Sequence, residues 1–170
     1  MKKLFISLIL AMALILMSVI SVLADTTADV EVTATPEYIA IADNVTTVDY
    51  GVVSASSTPY TDTSQVGITN TSTVQTDQTI AVTAETWAGG VTWAHSETAT
   101  AGADTAGLEA NRGGSWESGD IIVKYASPNY IYENCPATTD YDYGLQLIAP
   151  TSFGDGVEKS ITVRVSASAG

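Results

Sequence analysis

The sequence predicts an all-β domain, a sandwich of eight to ten short antiparallel strands, and three observations carry that expectation. Short runs alternate apolar and polar residues, turn signals separate the runs, and threonine is abundant where helix-favouring residues are scarce. There are 24 threonines from residue 25 onward. Threonine is β-branched and fits a pleated surface, whereas Lys, Arg, Gln and Leu, which favour helices, are few.

The alternating runs come in order. Val30, Val32 and Ala34 alternate with Glu31 and Thr33, and Val66 and Ile68 with Gly67 and Thr69. Ile80, Val82 and Ala84 follow, then Ile121, Val123 and Tyr125, then Leu145, Leu147 and Ala149, and last Ile161, Val163 and Val165. Each run offers one mainly apolar face, enough to cover half of a two-sheet core. Thr35-Pro36, Ser56 to Pro59, Asn70 to Ser72, Gly113-Gly114, Ser127 to Asn129 and Gly154 to Gly156 read as turns. Thr98 to Gly107 is rich in Ala, Thr and Gly and reads as a flexible loop. Gly89-Gly90 reads as a two-residue hairpin, with Thr86 opposite Trp93 and Trp87 opposite Thr92. In that register one tryptophan enters the core and the other faces solvent.

Ahead of these runs lies a segment of another kind. Lys2 and Lys3 precede an apolar stretch from Leu4 to Leu23, and Ser21-Val22-Leu23-Ala24 suits signal peptidase. Residues 1–24 therefore read as a signal peptide and residues 25–170 as one domain, secreted or at the cell surface. The stretch is also about long enough to span a bilayer, so membrane contact is expected only through an uncleaved signal.

Without those residues four basic side chains stand against nineteen acidic ones, a formal charge of −15. That charge disfavours nucleic acid and anionic lipid as partners, although many exported proteins are simply acidic. Cys135 is the single cysteine, so no internal disulfide forms, and a buried thiol is the expected state, with an intermolecular link as the alternative.

Catalytic chemistry finds little footing. His95 is the only histidine and reads as a surface or hairpin-end residue beside Trp93, and no Gly-x-Ser-x-Gly elbow or phosphate-binding glycine loop occurs. A zinc site needs more His and Cys than the chain has. No cofactor is expected, with calcium the one metal to consider: Asp140, Asp142 and Asp155 would supply oxygens if their loops met. Solvated loop acids are the ordinary alternative. Trp116, Tyr125, Tyr130, Tyr132, Tyr141 and Tyr143 crowd one region. Tyr130 with Tyr132, and Tyr141 with Tyr143, share strand faces by alternation. Five of them (Trp116, Tyr130, Tyr132, Tyr141 and Tyr143) form a candidate ligand-binding platform, since exposed rings stack on sugars or anchor protein partners. Tyrosines that merely straddle core and surface are the plainer reading. Asn44-Val45-Thr46 and Asn70-Thr71-Ser72 permit glycosylation and say no more.

Val48-Asp49-Tyr50-Gly51-Val52-Val53, Ser56-Ser57-Thr58 and Val66-Gly67-Ile68-Thr69-Asn70-Thr71-Ser72 together resemble the opening of immunoglobulin-like modules of the Hydin-type and PapD-like kind. Similar modules occur in exported microbial surface and filament proteins. The resemblance covers about residues 45–85, with a weaker echo at Lys159 to Ala167, and implies an immunoglobulin-like antiparallel sandwich. It also implies work as a scaffold, adhesin or polymer subunit, although fold analogy alone assigns no function.

The expected function is thus a non-catalytic structural or surface-interaction protein, partnered by itself or by other surface proteins. The Ala28 to Ala34 strand would either complete its own sheet or be donated to a neighbour's open sheet edge, the second giving a route to assembly. A carbohydrate-binding module using the aromatic face and a calcium-stabilised adhesion domain are the alternatives.

Overall fold

The computed structural model describes residues 34, 37–113, 115–116 and 120–170. The signal segment and residues 28–33 of the proposed donor strand lie outside the described residues. From Pro36 onward the chain forms one compact unit.

Among the described residues ten strands make two sheets. They are β1 (Ile41–Asp43), β2 (Val66–Asn70), β3 (Thr76–Val82), β4 (Thr86–Trp87), β5 (Trp93–His95), β6 (Thr105–Asn111), β7 (Ile121–Ile122), β8 (Asn129–Cys135), β9 (Asp140–Ile148) and β10 (Val163–Ala169). The larger sheet runs β1-β2-β9-β6-β5-β4, with β7 also on β6, and the smaller runs β10-β3-β8. All pairings between strands are antiparallel except β5 with β6. The fold is therefore all-β, as the composition requires, with the two sheets closed over one core as a sandwich.

Alternation explains which side chains meet. Val66 and Ile68 on β2, Tyr143, Leu145 and Leu147 on β9, and Leu108 and Ala110 on β6 turn inward from the larger sheet. Ile80, Val82 and Ile131 meet them from the smaller one. Between β1 and β2, residues 56–61 run antiparallel along the second half of β9: Ser56 N–H donates to Pro150 O and Thr61 N–H to Leu145 O, while Ala149 N–H donates to Ser57 O and Leu147 N–H to Pro59 O. Consequently β9 is paired along both edges for most of its length, which makes it the spine of the larger sheet.

The structure corrects four expectations. The β4–β5 hairpin pairs Trp87 with Trp93, not with Thr92, so the loop holds five residues rather than two. A one-residue slip moves a side chain to the other face, and here it puts both tryptophans on the same, buried side. Their centroids lie 6.1 Å apart, and Phe153 stacks on Trp93 at 5.3 Å. Gly89 and Gly90 both take positive φ, which side-chain-bearing residues rarely adopt, so the longer loop still needs them. His95 is buried rather than at the surface, and its Nε2 lies 2.7 Å from the Val123 carbonyl oxygen.

The other two corrections concern strand limits and the 98–107 stretch. β3 begins four residues before the apolar run at Ile80, because Thr76 and Gln78, though polar, face inward and are fully buried. Thr98 to Gly107 is not all loop. β6 starts at Thr105, and the Ala99 turn lies so close to Gly107 that a Cβ there would sit 2.7 Å from the Ala99 Cα. The predicted strand Ile121 to Tyr125 is short for a different reason. Val123 N–H bonds Leu108 O in the larger sheet and Lys124 O accepts from Val82 N–H in the smaller, so the segment passes from one sheet to the other.

Candidate functional site

Three surfaces merit attention, and each is built by a different strand arrangement. The first is the outer edge of β10. Its bonds to β3 come from the even-numbered positions: Thr83 N–H donates to Thr162 O at 2.9 Å and Gly170 N–H to Gln75 O at 3.2 Å, and antiparallel hydrogen-bonded pairs recur every second residue between them. The backbone groups of Val163, Val165, Ala167 and Ala169 therefore point away from β3. Among the described residues no strand pairs with that edge. The same odd-numbered side chains oppose Val82, Ile80 and Gln78 on the core side, yet Val163, Val165 and Ala167 are only half-buried. Among the described residues the sheet is thus open at β10 both in hydrogen bonds and in apolar cover.

Other edges are blunted. β1 has three residues and β4 two. β8 carries register shifts against β3, Glu133, and Asn134 at positive φ, all of which discourage a further strand. β10 has seven residues, no proline and one charge, Arg164.

The second surface is where the tyrosines gather. The register shift between Gln78 and Thr79 divides Tyr132 from Tyr130: Tyr132 opposes inward-facing Gln78, while Tyr130 opposes outward Thr79 and is 54% exposed. The shared face expected from plain alternation is lost at this bulge. Tyr132 packs on the core, its ring 4.6 Å from Tyr141 across the two sheets, with the Arg112 guanidinium 5.8 Å from its centroid. Its hydroxyl donates to the Asp142 carbonyl. Tyr141 shares a side-chain hydrogen bond with Cys135, whose thiol is buried, as expected, and is pushed above its ordinary pKa by that burial. Tyr143 is buried, and burial raises its phenol to about 12. Three of the five platform residues therefore join the sheets, and Tyr130 stands apart.

Trp116 belongs to the third surface, on the outer face of the larger sheet. Asn111 shapes the loop that carries it, donating through Nδ2 to Ser115 O and to Asp120 Oδ2, both at 3.1 Å, and accepting from Gly113 N–H at 2.8 Å. The Trp116 ring then lies over Gly144 of β9. A Cβ at Gly144 would come 3.0 Å from the indole and 2.8 Å from the Asp62 carbonyl, so only glycine admits both neighbours. Tyr60, opposite Gln146, points the same way, and its centroid is 5.8 Å from that of Trp116 at 39°. Tyr60 lies beside Pro59 among turn residues, and no alternation singled it out. The glycine in the middle of β9 was the available signal. Glu109 also faces outward, opposite Gln146, and its carboxyl is raised by desolvation and then by the charge of Asp120.

The three calcium candidates do not form one site. Asp140 and Asp142 open β9, whereas Asp155 lies beyond its far end, where it bonds Lys159 and the Val91 amide. Asp140 Oδ1 accepts from Thr69 Oγ1 at 2.6 Å. Among the described residues no three His, Cys, Asp or Glu side chains converge to hold a metal.

Comparison with protein-family models, with curated proteins and with solved structures finds no match to this chain. Function must be read from these surfaces alone.

Proposed function

We propose that the protein is an exported, non-catalytic structural or surface-interaction subunit that associates through strand addition at the outer edge of β10. The single observation behind this reading is that β10 is the longest unblunted edge described and that, among the described residues, no strand pairs with the outward backbone of Val163, Val165, Ala167 and Ala169. Such an edge is a template for another chain, because main-chain bonds supply affinity and alternate side chains supply specificity.

The donor is residues 28–34 of a second copy. Their pattern complements β10 on both faces. Val30, Val32 and Ala34 match the half-buried side of Val163, Val165 and Ala167, which sets Glu31 opposite Arg164 and Thr33 opposite Ser166. An acidic residue meets the one cation of β10 in this arrangement. The immunoglobulin-like assignment belongs to the same proposal, supported by two antiparallel-rich sheets over one core and by β2 falling at Val66–Asn70, within the resembling stretch.

Deletion of residues 25–35 tests the reading. Size-exclusion chromatography with light scattering should find residues 25–170 associated in a concentration-dependent way and the shortened chain monomeric. Equal masses for the two would remove the donor segment from the account.

A further inference from the structure

We propose that the groove beside the paired rings of Tyr60 and Trp116 binds a neutral pyranose oligosaccharide, a role separate from association through β10. The groove is open, about 580 Å³, and lined by Tyr60, Thr61, Asp62, Thr63, Ser115 and Trp116. That volume falls in the range of sites for small ligands. Tyr60 is 63% exposed, so its ring face is open to a ligand.

Its walls are fixed in advance. Thr61 Oγ1 accepts from Leu145 N–H at 2.9 Å and donates to Asp62 O at 3.1 Å, and Gln65 N–H bonds Asp62 O at 3.0 Å. On the other wall Asn111 holds Ser115, and Gly144 seats the indole.

The chemistry of the lining selects the ligand class. A pyranose ring has an apolar face of C–H bonds and a rim of hydroxyl donors. The two aromatic rings supply faces for the first, and the Asp62 carboxylate, with threonine and serine hydroxyls, supplies acceptors for the second. Among the described lining residues none is cationic, and Asp62, with Glu109 across Gln146 from Tyr60, repels anions, so uronates and sulfated glycans are disfavoured. The 39° tilt between the rings suits a twisted single chain rather than a flat crystalline face. A peptide partner would want an apolar pocket for an anchor side chain, and the groove offers ring faces without such depth.

The test uses cellohexaose and maltohexaose as neutral probes, oligogalacturonate as the anionic comparison, and calorimetry with tryptophan emission as readouts. Trp87 and Trp93 are buried, so a ligand-dependent emission change reports Trp116. At least one neutral probe should bind below about 1 mM, and Trp116→Ala or Tyr60→Ala should weaken it by roughly tenfold or more. Tyr130→Ala, an exposed ring on the other sheet, should leave binding unchanged. Tyr60→Ala guards against misfolding of the tryptophan variant, because Tyr60 is mostly in solvent. Binding of neither neutral probe up to about 10 mM, equal binding of the anionic one, or binding that survives Tyr60→Ala would each overturn the proposal.

Discussion

Tyr132 on the smaller sheet sets its ring 4.6 Å from Tyr141 on the larger one, and its hydroxyl donates to the Asp142 carbonyl beside it. One side chain thus ties β8 to β9 where the two sheets come together. Tyr132→Phe keeps the ring contact and loses the bond, so denaturant unfolding should show a loss of about 0.5–1.5 kcal/mol. Tyr132→Ala should lose more, about 2–4 kcal/mol, because the ring contact and apolar cover go as well. Equal effects of the two substitutions would mean that the ring contributes nothing.

The corrected hairpin register makes a spectroscopic prediction. With Trp87 and Trp93 both buried, acrylamide should quench only Trp116 appreciably, and Trp116→Phe should leave an emission nearly inaccessible to quencher. Trp93→Ala opens a cavity among Trp87, Phe153 and the Lys159 stem, and should destabilise by about 3–5 kcal/mol. An easily quenched second tryptophan would restore the two-residue turn.

Two carboxylates should pull stability in opposite directions with pH. Asp155 is held below its ordinary range by the Lys159 hydrogen bond and then by the Val91 amide. Its contribution is therefore present above about pH 4 and fades as pH falls through its folded pKa. Glu109 is raised by desolvation and by Asp120, so its contribution is favourable only below about pH 4 and is lost as pH rises through the raised value. Asp155→Asn should flatten the acid limb of a melting-temperature profile. Glu109→Gln should stabilise near neutral pH, by under about 1 kcal/mol for a half-buried group still screened by solvent, with no gain at pH 3. A uniform shift at all pH values would contradict both assignments.

Charge exchange tests the proposed faces of the donor strand. Arg164→Glu and Glu31→Arg should each weaken association by about two- to fivefold, and the double variant should recover most of it. Additive losses would place Glu31 away from Arg164.

Much of the fold was legible where alternation was clean. The run at Val66 and Ile68, the run at Leu145 and Leu147, and the run at Val163 and Val165 all fall in strands. Reading failed where polar residues face the core, as with Thr76 and Gln78, and where pairing departs from simple period two. The bulge in β8 separated Tyr130 from Tyr132, and a one-residue slip reunited Trp87 with Trp93. Neither is visible in local pattern, because register is set by the partner strand. The Tyr60–Trp116 pair joins residues 56 positions apart in the chain, so no local spacing could announce it. Gly144, alone in the middle of an otherwise continuous strand, was the trace it left.

The central claim is that the free backbone of β10 recruits another strand, and Ala167→Pro tests it most directly. Proline there removes an N–H that points away from β3, so β10 keeps its bonds within the sheet while the open edge loses a donor. The measurement is the light-scattering mass of residues 25–170 against the same chain carrying Ala167→Pro, across a concentration series. The account predicts concentration-dependent association for the first and a folded monomer for the second. A monomer in both cases, or association indifferent to the proline, would contradict it.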